Sequence, residues 1–385
     1  MKKILLSFFM IFVMPVTVFA LEKGPKNGLV LQTDDGNYSL KIGSLVQFQH
    51  QFLDVDGAGS TNGFQLRRVR LNFSGNAINP QLTYRLEFEV LSGVTNLVAE
   101  AFPHTGPNLR DGYLNYNFDN GIEIQWGQFK VPYSFDTLVS DSQNQFIDRT
   151  ITDDVFGLER DLGINLHGRL AGGRFDTSLH LMNEGINRNT FNNNDGMLVG
   201  TRLVFNVRGD HRYTTGDPDF SETPNLAVGV AGNFNRAGNP PAADQSMIAA
   251  TGDVAYRYRG LSALGAGYYL RNKTANTNIF GFLVQDGYFI VPKRFEVMAR
   301  LGAVFPTAAG VTNGYEAGGG LGYYFKGHNL KLLTDYAILL NSPLVLGVGA
   351  AGTNAAANSA TAGGAPGFIA GQNDHRVRTQ VQLYF

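Results

Sequence analysis

The sequence predicts an all-β protein: a sixteen-stranded antiparallel β-barrel that crosses a membrane, with one loop folded into its lumen. Three observations carry that expectation. Sixteen segments alternate apolar and polar residues with a period of two, each over about ten residues, which is the length at which a tilted strand crosses a bilayer. Long and short links alternate between those segments, as they do when one rim of a barrel carries tight turns and the other carries external loops. Residues 130–160 have no period at all, yet they hold Phe135, Leu138, Phe146, Ile147, Ile151, Val155, Phe156 and Leu158, too many apolar groups for a disordered segment.

Composition narrows the function classes. The 385 residues include 47 Gly, 28 Phe and 16 Tyr but only 16% charged residues, and the formal net charge is −1. Nucleic acid is therefore not an expected partner. With no Cys, neither thiol catalysis nor a thiolate metal site is possible. Residues 1–20 read as a secretory signal peptide: Lys2 and Lys3, an apolar run from Ile4 to Met14, and Val18-Phe19-Ala20 as the cleavage motif. The run is too short for a membrane anchor and is broken by Pro15. Losing Lys2 and Lys3 takes the net charge from −1 to −3. Residues 21–37 read as a loose N-terminal periplasmic segment, and 38–385 as the barrel.

The alternating segments run in order. In 38–52, Leu40, Ile42, Val46, Phe48 and Phe52 share one face, and Lys41, Gln47, Gln49 and Gln51 share the other. In 63–74, Val69, Leu71 and Phe73 stand against Arg68, Arg70 and Asn72; in 81–90, Leu82, Tyr84, Leu86, Phe88 and Val90 stand against Arg85, Glu87 and Glu89. The pattern returns at 109–118, 122–129, 161–171, 173–183, 196–208, 225–234, 250–259, 261–270, 278–290, 293–303, 314–325, 328–340 and 374–385. One face meets lipid and the other a wet lumen, because every backbone amide in lipid must be paired and ring closure achieves that. A soluble sandwich would instead need a second apolar layer. One link, 209–224, is long where a short turn is expected.

Several phrases resemble the phosphate-selective porin O and P family: FQLRRVRLNFSG from Phe64, LRDGYLNY from Leu109, GQFKVPYS from Gly127, FIDR from Phe146, ERDLG from Glu159, and a terminal strand ending in Phe385. The resemblance implies a Gram-negative outer-membrane channel of sixteen strands, a homotrimer embedded in outer-membrane lipid, whose third external loop folds inward. It also implies passage of small hydrophilic solutes or inorganic anions such as phosphate, guided by basic residues, with no cofactor and no catalytic residue. The pore-lining candidates are Arg68, Arg70, Arg85, Lys130, Arg160, Arg169 and Arg202, with Asp136, Asp141 and Asp148 as constriction-loop acids. The loop itself carries three bases and six acids, so it opposes the basic wall.

Each feature has a bland counterpart. The cluster of Arg67, Arg68 and Arg70 with Arg85, of which Arg68, Arg70 and Arg85 are expected to point inward, is either the filter or a structural network with Glu87, Glu89 and loop acids. Tyr38, Tyr84, Tyr116, Phe118, Tyr323, Tyr324, Phe325 and Tyr384 read as interface girdle residues. The GxGxxG match at 346–352 precedes no helix and reads as chance in a Gly-rich link. The His residues show no metal-ligand spacing and no GxSxG elbow is present. The expected function is a porin with a mild anion preference. The alternatives are a surface adhesin, which needs large aromatic loops, and a barrel enzyme, which needs a nucleophile–base pair at the rim. The loop's nearest docking surface is the lumen wall formed by 63–74 and 81–90.

Overall fold

The computed structural model describes residues 29–57, 59–92, 108–183, 196–210, 212–237, 245–273, 276–342 and 368–385. The signal-peptide region and the GxGxxG match lie outside them. Sequential antiparallel pairing builds one sheet from β1 (Leu29–Gln32), β2 (Ser39–Val55), β3 (Gly59–Ala77), β4 (Asn79–Ser92), β5 (Asn108–Asn117), β6 (Ile122–Lys130), β7 (Arg160–Leu170), β8 (Phe175–Met182), β9 (Leu198–Arg208), β10 (Asn225–Ala237), β11 (Gln245–Tyr258), β12 (Leu261–Asn272), β13 (Thr277–Val291), β14 (Phe295–Pro306), β15 (Gly314–Lys326), β16 (Leu330–Leu340) and β17 (Asn373–Tyr384). β17 pairs with β2, Val46 opposite Leu383 and Phe48 opposite Val381, so the sixteen strands β2 to β17 form a closed ring. Closure leaves no edge.

Burial is the reverse of a soluble protein. Gln47, Gln49, Arg202, Glu296, Arg300, Lys331, Arg378 and Gln382 are buried, whereas Phe48, Leu86, Trp126, Ile164, Val199, Val284, Leu301 and Val381 are exposed. The apolar faces form the lipid belt and the polar faces the interior, as the alternation requires.

Three expectations are corrected. The segment 21–37 is not wholly loose: β1 pairs with β2, Leu29 opposite Ile42, across a turn in which the Asp35 carboxylate accepts from Thr33 Oγ1 and from the Asn37 amide, with Gly36 at φ 69°. Its Leu-Val-Leu run is short but apolar enough to extend the sheet. The expected loop 54–62 is mostly strand, with Val55 opposite Gly59, because Gly57 and Gly59 at φ 75° and 87° turn the chain tightly. Tyr324 is no girdle residue. Tyr323 and Phe325 point outward, but Tyr324 lies between them on the inner face and donates to Glu296 at 2.6 Å. Period-2 geometry allows only alternate members of an aromatic run to face lipid.

The irregular link also turns inward over residues 212–224. Thr214, Thr215 and Asp217 are buried. The Asp217 carboxylate accepts from the amides of Ser221 and Gly260 at 2.9 Å each, which folds the link back on itself and ties it to the β11–β12 turn.

Candidate functional site

Residues 130–160 leave the barrel from the last rung of the β6–β7 pair, where Lys130 faces Arg160. The loop condenses into three short turns: α1 (Phe135–Leu138), a 3-10 turn at Asp141–Gln143, and α2 (Ile151–Phe156). Ser134 caps α1, its hydroxyl accepting from the Thr137 amide at 3.1 Å. None of the turns is long enough to show a helical period in the sequence.

The loop has two faces. Its apolar side forms a core with the lumen wall: Phe135, Val139, Ile151, Val155 and Phe156 pack with Leu264, Tyr268, Ile279, Leu283 and Val304, the Phe156 and Tyr268 rings stacking at 5.1 Å. Phe146 and Ile147 pack with Phe289, Met298, Tyr324 and Leu333. The apolar docking surface is therefore β12 to β16, across the lumen from the expected wall. Inward positions of β3 and β4 carry Arg and Glu, whereas those of β12 to β16 include Leu264, Leu283, Met298 and Leu333; the alternation alone does not reveal which wall is apolar inside.

The loop's polar side meets β3. Asp141 accepts from Arg149 at 2.7 Å and pairs with Arg70 at 2.6 Å and Arg68 at 3.5 Å. Asp148 pairs with Arg67 at 3.1 Å, Arg68 at 2.7 Å and Arg378 at 2.9 Å. Burial would raise both carboxyls, but the guanidiniums outweigh it: Arg149, Arg68 and Arg70 at Asp141, and Arg67, Arg68 and Arg378 at Asp148, hold each well below the usual carboxylate range. Asp153 goes the other way. Burial pushes its carboxyl up to about 8; Arg149 opposes that and the nearby Asp136 adds to it. Asp136 is likewise raised by burial, against the pull of Arg149 and Arg300.

Further bonds pin the loop to the far wall. The Ile151 amide donates to Glu316 at 2.8 Å, Arg300 donates to the Asp148 carbonyl at 2.6 Å, and Lys331 donates to the Asn144 carbonyl at 2.6 Å. The segment thus spans the lumen from β3 to β16.

Beside it lies a cavity of about 260 Å³, lined by Arg70, Arg85, Lys130 and Arg160, by Glu87, Asp111 and Asp141, and by Tyr113, Gln125 and Ser140. The sequence-predicted residues fall into groups around it. Arg68 and Arg70 are buried loop anchors; Arg70 also donates to Glu89 at 2.9 Å. Arg85 has a side chain 36% exposed; it donates to Glu87 at 2.7 Å and lies 3.3 Å from Asp111. Lys130 donates to the carbonyls of Thr137 and Val139 at 2.7 and 2.8 Å, steadying the first loop turn. Arg160 donates to Asp111 at 2.7 Å. Arg202 lies in a different part of the lumen, bidentate to Asp253 at 2.8 and 2.9 Å and donating to the Tyr133 carbonyl. Arg169 stands apart, 53% exposed and paired with Asp176 and Asp210. Asp136 is buried within the loop and accepts from Thr150.

Two site residues escaped the alternation. Gln47 faces Arg68 but Phe48 faces Leu66, so Arg67 is an extra residue, and both Arg67 and Arg68 turn inward. Glu87 faces Asp111 but Phe88 faces Leu109, so Arg110 is extra and turns inward to donate to Glu89 at 2.7 Å. These are β-bulges, which re-aim side chains. Adjacent charges in RRVR and LRDG are the available signal: strict alternation would put one of each pair in lipid at about 2–4 kcal/mol.

A closed ring with an apolar outer belt and a charged interior crossed by a loop defines an outer-membrane channel of the porin class. The phosphate-selective porin O and P model matches residues 40–339, and the chain belongs to that family. No curated protein matches it in sequence. Among solved structures it is similar to the outer-membrane channel DcaP of Acinetobacter baumannii (TM-score 0.60, 11% identity, 93% of this chain and 100% of that one). It is also similar to an anion-selective porin from Comamonas acidovorans (0.59, 14%, 90% and 100%) and to Pseudomonas putida OprB (0.57, 10%, 91% and 94%). At those identities the likeness shows the fold. Family and fold point to a channel and not an enzyme, and to the outer membrane.

Proposed function

We propose that this porin passes small hydrophilic solutes by passive diffusion, with a mild preference for inorganic anions such as phosphate, and that loop 130–160 sets the width of its pore. One observation carries the reading: beside the loop, the 260 Å³ cavity is lined by four bases, Arg70, Arg85, Lys130 and Arg160, and three acids, Glu87, Asp111 and Asp141. The bases stand on strands or at strand ends, and a narrow, partly desolvated passage strengthens their pull on an anion. Arg85 is the base best placed to touch a solute, because Arg68 and Arg70 are buried in pairs with acids. The protein acts as a homotrimer in outer-membrane lipid, which the mass of the unheated species checks.

The test is the zero-current potential across a KCl gradient. Wild type is expected to be mildly anion-selective, and Arg85→Gln to move toward cation selectivity. A cation-selective wild type, or an unchanged potential in Arg68→Gln/Arg70→Gln/Arg85→Gln, would make these arginines structural partners only.

A further inference from the structure

The link 209–224 starts from the rim of short turns, where the other links are one to four residues long, yet its tip lies against the tip of loop 130–160. The Thr215 amide donates to the Gln143 carbonyl at 3.2 Å, and the Gln145 amide donates to Thr215 Oγ1 at 2.7 Å. The Tyr213 ring lies 5.5 Å from Phe135 and its hydroxyl accepts from Arg202 at 2.9 Å. Phe220 packs against the cluster of Phe289 and Tyr324. Two inward segments, one from each rim, therefore meet inside the barrel.

Two cavities of unequal size flank that junction. On the β11–β13 side, between Gln145, Thr215, Ser262 and Gln285, the cavity measures about 20 Å³, room for about one water. On the β3–β7 side it measures about 260 Å³, more than tenfold larger. Gln145 seals the narrow side: its amide nitrogen donates to Glu296 at 2.7 Å and to Ser262 Oγ at 3.3 Å, and its carbonyl accepts from Gln285 at 3.0 Å.

We infer that residues 212–224 are a second constriction element, which bolts the tip of loop 130–160 to the β11–β13 wall and confines solute passage to the β3–β7 side. This rests on the porin reading and deepens it, because it names the path and a second determinant of pore width. The direct contacts between the two tips are main-chain groups, the Thr215 hydroxyl and one aromatic pair.

The absence of cysteine makes the path directly testable. Ser140 is exposed and lines the wide side; Ser262 is buried and lines the narrow side. Ser→Cys is nearly isosteric, so Ser140→Cys and Ser262→Cys are expected to fold as wild type. In planar bilayers, a charged methanethiosulfonate reagent is expected to lower the single-channel current of Ser140→Cys at least twofold and to leave Ser262→Cys unchanged. Replacing 212–219 by a two-glycine turn in Ser262→Cys is expected to raise conductance and make the thiol reactive. Equal block of both single variants, block of Ser262→Cys alone, or no block of either in a conducting channel overturns the inference. If the shortened variant does not assemble, oxidative cross-linking of Gln143→Cys/Thr215→Cys decides: a cross-link at wild-type conductance supports the bolt, and no cross-link overturns it. A wild type that forms no channel at all contradicts the porin reading instead.

Discussion

Replacing Asp148 with Ala should free loop 130–160 without touching the barrel wall. Its carboxylate binds three guanidiniums, those of Arg67, Arg68 and Arg378 at 3.1, 2.7 and 2.9 Å, and its side chain is 17% exposed. Breaking a buried pair by removing one partner costs about 3–5 kcal/mol, because the charges left behind stay desolvated. Arg68 and Arg378 keep Asp141 and Asp335 as partners, which argues for the lower end. At about 1.4 kcal/mol per decade, a loss of about 3 kcal/mol raises the undocked fraction of the loop roughly a hundredfold. The reporter is the bond after Arg149, a trypsin site held inside the lumen by Asp141 and by the Val139 carbonyl at 2.6 Å. When opening is fast relative to cleavage, cutting tracks the open population. Asp148→Ala in outer-membrane vesicles should therefore be cut after Arg149 roughly a hundredfold faster than wild type, with a noisier single-channel current and an intact barrel by heat modifiability. A cleavage rate within about twofold of wild type would refute the anchoring of the loop by this carboxylate.

Two further outcomes are expected. Because burial raises Asp153 to about 8, it binds a proton in the docked loop that an unfolded Asp, with a pKa near 3.9, does not bind between those values. Docking should therefore weaken as pH rises through about 8, seen as growing current noise; Asp153→Asn should abolish that dependence, and equal noise at pH 6 and pH 9 in wild type would contradict it. Val284→Arg places a charge on the lipid face near the middle of β13, where the side chain is 51% exposed, and should cost about 2–4 kcal/mol of barrel stability. Urea unfolding in bilayers measures that, and a stability equal to wild type would contradict the assigned face.

The ring was legible because lipid on one side and water on the other impose a strict period of two on each strand. The same rule exposed the inward loop, since its apolar residues had no place in that pattern. What escaped was whatever departs from the period. Arg67 and Arg110 reach the interior only through bulges, and Tyr324 parts from its aromatic neighbours because a strand alternates. The loop's docking wall was misplaced because Leu264, Leu283 and Leu333 face inward within strands whose outer faces are also apolar. The fold of 209–224 depends on Asp217 bonding Gly260, 43 positions away, and no local pattern announces a contact of that kind.

If loop 130–160 sets the width of the channel, shortening it widens the pore. Single-channel conductance of wild type, compared with a variant lacking residues 134–152, tests it most directly. Wild type is expected to give steady channels and the shortened protein a higher conductance, both heat-modifiable. Equal conductance in the two, or no channel from folded wild type, would contradict it.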